Sequence, residues 1–138
     1  MNFNKLKIET VVNKNLNTAW DAYTKPEHIT KWNFANDDWC CPSVENELKV
    51  GGKYKARMEA KDGSFGFDFE AVYEEFTPLK KLTLKMSDGR AATTEFHNVG
   101  GKTKIITVFD AEKENPEQMQ KDGWQAILTN FKKYIELN

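Results

Sequence analysis

The first residues of the chain alternate between apolar and polar, which predicts a β-strand from about Asn4 to Asn13. One face of this strand carries Lys5, Lys7 and Glu9. The opposite face consists of Leu6, Ile8, Thr10 and Val12. The strand is therefore expected to cover a core with one face only.

Two short helices are predicted next, because the apolar residues change to a spacing of three or four. Asn15 or Asn17 provides the N-cap of the first helix, and Pro26 suits the first turn of the second. The apolar positions are Leu16, Trp20 and Tyr23 in the first helix and Ile29 and Trp32 in the second. An aromatic and acidic stretch from Asn33 to Pro42 is then predicted to be a loop.

The centre of the chain predicts a β-hairpin with a defined register. Asp62-Gly63 is a dipeptide typical of two-residue hairpin turns. Closing this turn brings apolar residues together on one face and opposite charges together on the other. The apolar pairs are Met58 with Phe67 and Ala56 with Phe69, and the charged pairs are Arg57 with Asp68 and Lys55 with Glu70.

A second hairpin allows two registers. A two-residue turn would place Leu82 opposite a glutamate, whereas a three-residue loop from Ser87 to Gly89 places it opposite Thr94. We favour the three-residue loop because it keeps the apolar positions on one face. This register points Arg90 inward, opposite Met86, whereas another register would leave Arg90 exposed at a turn.

Gly100-Gly101 closes a third predicted hairpin, and a long helix then runs from Pro116 to Leu137. Its apolar stripe consists of Trp124, Ile127, Leu128, Phe131 and Ile135. Gly123 is unfavourable within a helix and would be explained by the close approach of another group. Together the patterns predict an α+β fold, with a curved antiparallel sheet of about six or seven strands around this helix.

Length and charge restrict the class of protein. The 138 residues suit one domain spanning the whole chain. Twenty basic and 21 acidic residues give a net charge of −1, which argues against nucleic-acid binding through a positive field. No apolar run has the length of a membrane span. The first residues lack the apolar stretch of a signal peptide, so a cytoplasmic location is expected.

Six segments carry a family resemblance: Ala19–Trp32, Val50–Tyr54, Met58–Ser64, Phe69–Pro78, Asp88–Arg90 and Gly123–Leu128. In this order they resemble the family named after the activator of heat-shock protein 90 ATPase. That family lies within the START-like superfamily, which includes polyketide cyclases and the birch-pollen allergen. The resemblance implies a helix-grip fold with a hydrophobic cavity between the sheet and the long helix. It implies no single activity, because members of one fold differ in function.

The inward-facing aromatic residues and methionines form the candidate ligand site. By themselves they fit either a packed core or a cavity, and the resemblance favours a cavity for a small hydrophobic ligand. The predicted lining is Trp32, Phe34, Trp39, Tyr54, Met58, Phe67, Phe69, Met86, Arg90, Phe96, Trp124 and Leu128. Phe65 is also expected to face inward. Arg90 would bind a ligand carboxylate or phosphate, or would pair with Asp37, Asp38 or a backbone carbonyl.

No metal, cofactor or catalytic residue is predicted. Cys40, Cys41, His28 and His97 could ligate zinc, but their spacing matches no zinc motif. The chain has neither the Gly-x-Ser-x-Gly elbow of hydrolases nor a phosphate-binding glycine loop. The two cysteines are adjacent, which disfavours an ordinary disulfide between them.

Three functions therefore stay open. The first is non-enzymatic binding of a small hydrophobic molecule such as a lipid, polyketide or aromatic metabolite. The second is a cyclase- or dehydratase-type enzyme, which would need an acid or base in the cavity from Tyr54, Glu45, Glu47, Asp37 or Asp38. The third is a chaperone ATPase-activating cofactor or stress-response protein. It ranks last because the resemblance covers only the C-terminal type of domain. Both a monomer and a homodimer are compatible with the sequence.

Overall fold

A seven-stranded antiparallel sheet is the frame of the structure, a computed structural model that describes residues 3–137. The strands are β1 (Lys5–Val12), β2 (Trp39–Asn46), β3 (Lys53–Ala60), β4 (Gly66–Thr77), β5 (Lys81–Met86), β6 (Ala91–Val99) and β7 (Lys102–Asp110). The helices are α1 (Leu16–Thr24), α2 (Pro26–Ile29) and α3 (Glu117–Glu136). The strand order β1-β7-β6-β5-β4-β3-β2 makes β1 and β2 the edges. This arrangement confirms the predicted α+β helix-grip fold.

The predicted hairpin registers are confirmed. Met58 pairs with Phe67 across β3 and β4, as the Asp62-Gly63 turn requires. Leu82 pairs with Thr94 across β5 and β6, so the loop between these strands has three residues. Gly89, the last residue of that loop, has a φ of 93°, a left-handed conformation that costs glycine nothing.

The helices begin where their capping residues predict. Asn15 is the N-cap of α1, and its side chain accepts a hydrogen bond from the amide of Thr18 at 2.9 Å. Pro26 occupies the first turn of α2. Helix α3 follows Pro116 directly, and Phe131 on its apolar stripe is fully buried. The stripe faces the concave side of the sheet.

Two expectations were wrong. Strand β2 begins at Trp39, inside the stretch predicted to be a loop. A bulge between Cys40 and Ser43 contains Pro42, which has no amide hydrogen to donate, and it interrupts the alternation that would have identified the strand. Gly123 in α3 has no approaching neighbour, because a Cβ there would meet nothing within 4 Å.

The main core lies between the concave face of the sheet and helices α1 and α3. Trp20 of α1 meets Phe96 of β6 edge to face, with ring centroids 5.0 Å apart. Such contacts fill the end of the core beside α1. Within residues 3–137, no helix is both long and apolar enough to cross a membrane.

Candidate functional site

An apolar cavity of about 260 Å³ lies between the concave face of the sheet and α3. Its aromatic lining residues are Tyr23, Trp32, Tyr54, Phe67, Phe69 and Trp124. Its aliphatic and methionine lining residues are Ile8, Met58, Leu84, Ala92, Ile127 and Leu128, and its other polar ones are Asn33, Thr94 and Thr107. Among the described residues, no Asp, Glu, Lys, Arg or His borders this cavity.

Small side chains in the middle of the sheet explain why the space is unfilled. Ala92 and Thr94 lie two residues apart on β6 and are both buried, so they share its concave face. Thr107 is paired with Thr94 on the neighbouring strand β7. These three side chains are too short to reach α3, whereas the larger residues around them hold the helix away from the sheet.

The α3 side of the cavity is rigid. The ring of Trp124 stacks on that of Phe109 from β7, with centroids 4.0 Å apart and an interplanar angle of 5°. This parallel contact fixes the plane of the indole. Trp124 therefore offers a flat wall to any ligand.

A second indole is held by the segment after α2. Trp32 donates through Nε1 to the carbonyl of Ala22 at 2.9 Å, and its ring stacks on that of Tyr23 at 5.1 Å. The amide of Asn130 on α3 donates to the carbonyl of Trp32 at 2.8 Å. These contacts tie α1, the loop and α3 together, so this wall is fixed before any ligand enters.

Tyr54 of β3 has an unsatisfied hydroxyl group. Among residues 3–137 it has no hydrogen-bond partner, and its oxygen keeps some accessible surface. Tyr54 borders the cavity, and its ring meets that of Phe69 edge to face. Desolvation, with smaller effects from Tyr23, Tyr73 and Cys41, raises the pKa of Tyr54 well above its usual value. The hydroxyl therefore stays protonated at neutral pH.

Three further hydroxyls form a chain in the cavity wall. The Thr94 and Thr107 oxygens are 2.9 Å apart, and the Tyr23 oxygen is 3.5 Å from that of Thr94. Burial raises the pKa of Tyr23, although hydrogen bonds to both threonines partly oppose this. This part of the wall is therefore polar but uncharged.

Among the described residues, the side-chain nitrogen of Asn33 contacts only sulfur acceptors. Nδ2 is 3.8 Å from Cys41 Sγ and 3.7 Å from Met58 Sδ. Thiols and thioethers are weak acceptors. Asn33 therefore adds a second polar group with unused hydrogen-bonding capacity.

The cavity opens near the β3–β4 hairpin. Phe67 borders the cavity and is 42% exposed, so it lies at the mouth. Its ring is 5.9 Å from that of Phe65 and 6.2 Å from that of Trp39. Phe65 is 59% exposed, so the expectation that it faces inward was wrong. It lies next to the turn, where its ring is 6.1 Å from that of Trp39.

The structure brings seven of the twelve predicted lining residues to the cavity: Trp32, Tyr54, Met58, Phe67, Phe69, Trp124 and Leu128. Phe34 and Trp39 instead pack in a separate cluster around Cys41 and Ala56. Phe96 does not border the cavity because α1 covers it. Met86 is buried in the main core at the end of β5.

Arg90 does not border the cavity either. Its Nε donates to Asp88 Oδ2 at 2.7 Å, so the partner is neither Asp37 nor Asp38. The predicted register is right, since the amide of Met86 donates to the carbonyl of Arg90 at 2.8 Å. The inward direction was wrong because the side chain turns back onto its own loop.

The sequence pattern did not identify eight of the lining residues: Ile8, Tyr23, Asn33, Leu84, Ala92, Thr94, Thr107 and Ile127. Alternation placed Thr94 inward, but it does not reveal that a short side chain leaves space. Of the acid–base candidates, only Tyr54 borders the cavity, whereas Asp37, Asp38, Glu45 and Glu47 do not. Within residues 3–137, no three His, Cys, Asp or Glu side chains cluster as metal ligands would.

Comparison with known proteins extends these observations. The family model described as Activator of Hsp90 ATPase homolog 1-like protein matches residues 14–136. The AHSA1-like protein from Aeromonas hydrophila is 36% identical to this chain. The alignment covers 97% of this chain and 93% of that one, with a TM-score of 0.92.

Two more solved structures are similar. One, from Cytophaga hutchinsonii, is 39% identical, with 97% of this chain and 93% of its own covered and a TM-score of 0.84. Another, from Chromobacterium violaceum, is 19% identical over 96% of this chain and 98% of its own. Its TM-score of 0.86 shows a shared fold alone. No curated protein matches the chain.

Proposed function

Because this chain belongs to the Activator of Hsp90 ATPase homolog 1-like family, whose START-like fold supports a small-ligand-binding or cofactor-type protein, we propose that it binds a small hydrophobic molecule. The ligand occupies the cavity between the sheet and α3. The observation that carries the proposal is the unfilled apolar space of about 260 Å³ in an otherwise packed core. Natural cores seldom leave such space empty.

The volume limits the size of the ligand. A cavity of about 150 Å³ holds benzene, and sites for drug-sized ligands begin at about 300 Å³. At about 260 Å³, this cavity suits a molecule with one or two rings or an aliphatic chain of similar bulk. The flat faces of Trp32 and Trp124 favour a planar group.

Native mass spectrometry of the freshly purified protein, compared with a denatured sample, tests the proposal. A carried ligand adds mass that disappears on denaturation. Titration with isopropylbenzene, followed by NMR, covers the case of weak binding. Its shifts should centre on Leu84, Ala92 and Ile127. No added mass, together with no saturable shift at these residues, would contradict the proposal.

Of the residues proposed as an acid or base for the enzymatic alternative, only Tyr54 is left, because no carboxylate among residues 3–137 borders the cavity. Burial keeps the Tyr54 hydroxyl protonated, so it is not a base at neutral pH. It can donate a hydrogen bond to a bound molecule. This role fits ligand binding, and no carboxylate, His or Lys among the described lining residues completes an acid–base pair with it.

A further inference from the structure

The cavity wall contains more hydrogen-bond donors than the protein's own acceptors occupy. The linked hydroxyls of Tyr23, Thr94 and Thr107 contain three O–H hydrogens. The two contacts between them use two of these hydrogens. Within the described part of the protein, one O–H hydrogen of these three hydroxyls is therefore left for another acceptor.

Tyr54 supplies a second unused donor. Its hydroxyl has no partner among residues 3–137, although its ring lies in a desolvated setting. Tyr73, on the next strand, shows the ordinary arrangement, because its hydroxyl donates to Asn46 Oδ1 at 2.7 Å. The Tyr54 oxygen, by contrast, keeps accessible surface, and Tyr54 borders the cavity. Its hydroxyl is therefore available to an acceptor that enters with the ligand.

The same cavity contains nothing that could neutralise a charged ligand. None of its described lining residues is Lys, Arg, His, Asp or Glu. Arg90, the cation predicted to reach it, is engaged with Asp88 at 2.7 Å. A carboxylate in this space would lose its hydration without gaining a countercharge, which is strongly unfavourable.

We infer that the ligand is an uncharged molecule with an oxygen that accepts a hydrogen bond from Tyr54, such as a ketone, aldehyde, ester or amide. Carboxylates of the same shape are rejected. This inference rests on the proposed function, because it assigns a chemical class to the ligand of that cavity. The apolar part of the ligand lies against Trp124 and Leu128, and its oxygen faces β3.

Three probes of similar size separate the effect of the carbonyl acceptor from the effect of a negative charge. Acetophenone is uncharged and has a carbonyl acceptor. Isopropylbenzene has an apolar CH–CH3 group in place of the carbonyl. Benzoate has a charged oxygen in place of the methyl group. Each is titrated into the full chain at neutral pH, and the Kd is taken from NMR shifts at the cavity. We expect acetophenone to bind at least about 100-fold more tightly than benzoate, given the cost of an unpaired buried charge.

Tyr54→Phe tests the assigned donor. This change removes one oxygen and leaves the ring, so the Kd for acetophenone should rise about 3- to 10-fold, the usual worth of one neutral hydrogen bond. The Kd for isopropylbenzene should change less than about twofold, since it accepts no hydrogen bond. Tyr73→Phe is the matched control, because it makes the same change outside the cavity and should alter neither value.

The outcomes distinguish this inference from the proposed function. If isopropylbenzene binds but benzoate binds as well as acetophenone, the inference is wrong and the cavity still binds ligands. The same follows if Tyr54→Phe weakens both uncharged probes equally or neither. If none of the probes binds to a folded protein, the proposed function fails too. A thermal unfolding transition of each variant confirms that it is folded.

Discussion

Filling part of the cavity with a larger side chain should stabilise the protein and weaken ligand binding. Ala92 on β6 borders the cavity and is 6% exposed. Its neighbours across the sheet are Leu84 and Phe109. Ala92→Leu adds three carbon atoms to the cavity side of the strand. Since this space is unfilled, the new side chain should find room without moving the sheet.

The size of the effect follows from the added carbons. Three buried carbons are worth about 2.4 kcal/mol of apolar transfer free energy, and ordering a leucine side chain costs about 0.5–1 kcal/mol. We therefore expect Ala92→Leu to raise the free energy of unfolding by about 1–2 kcal/mol. The side chain would occupy roughly a third of the cavity, so the Kd for isopropylbenzene should rise at least about tenfold.

Ala56→Leu is the matched control. Ala56 lies on β3, is fully buried and does not border the cavity. The same three carbons have no free space there, and overpacking should lower the stability by about 1–3 kcal/mol. Urea unfolding followed by tryptophan fluorescence measures both changes. Equal destabilisation by the two substitutions would refute the cavity, and unchanged probe binding in a stable Ala92→Leu protein would place the probe elsewhere.

Three other predictions concern a buried ring of the core, a buried carboxylate and Arg90, which does not border the cavity. Phe131→Ala should lower the unfolding free energy by about 3–5 kcal/mol in a urea titration, because the ring is fully buried. Desolvation of Asp110 is outweighed by hydrogen bonds from Lys5 and the Ala91 amide, so its pKa lies below the usual value. Asp110→Asn should therefore cost about 1–2 kcal/mol at neutral pH. This loss should shrink as the pH falls below about 3.9, the ordinary pKa of an aspartate, and should be gone once the pH is also below the lowered pKa of the native carboxylate. A loss independent of pH would contradict the assignment. Arg90→Gln should leave the affinity for acetophenone and benzoate unchanged in the NMR titration. A selective loss of benzoate binding would show that Arg90 reaches the cavity.

The elements that the sequence predicted well depend on local patterns. The β3–β4 register follows from Asp62-Gly63 and from cross-strand pairs a few residues away, so no distant contact is needed to define it. The start of α1 follows from one capping side chain, Asn15. The stripe of α3 repeats often enough to identify its buried face. Strand β2 was harder because the bulge at Pro42 breaks its alternation.

The sequence by itself determined the helices, most of the strands and the apolar face of these elements, because these properties repeat with the period of the backbone. Only the tertiary structure decided that β1 pairs with β7, that Arg90 pairs with Asp88, and that seven of the twelve predicted residues surround one space. Alternation places Ala92 and Thr94 inward without showing what lies opposite them. A cavity is volume left unfilled between elements distant in sequence, so it follows from their packing and from no single segment.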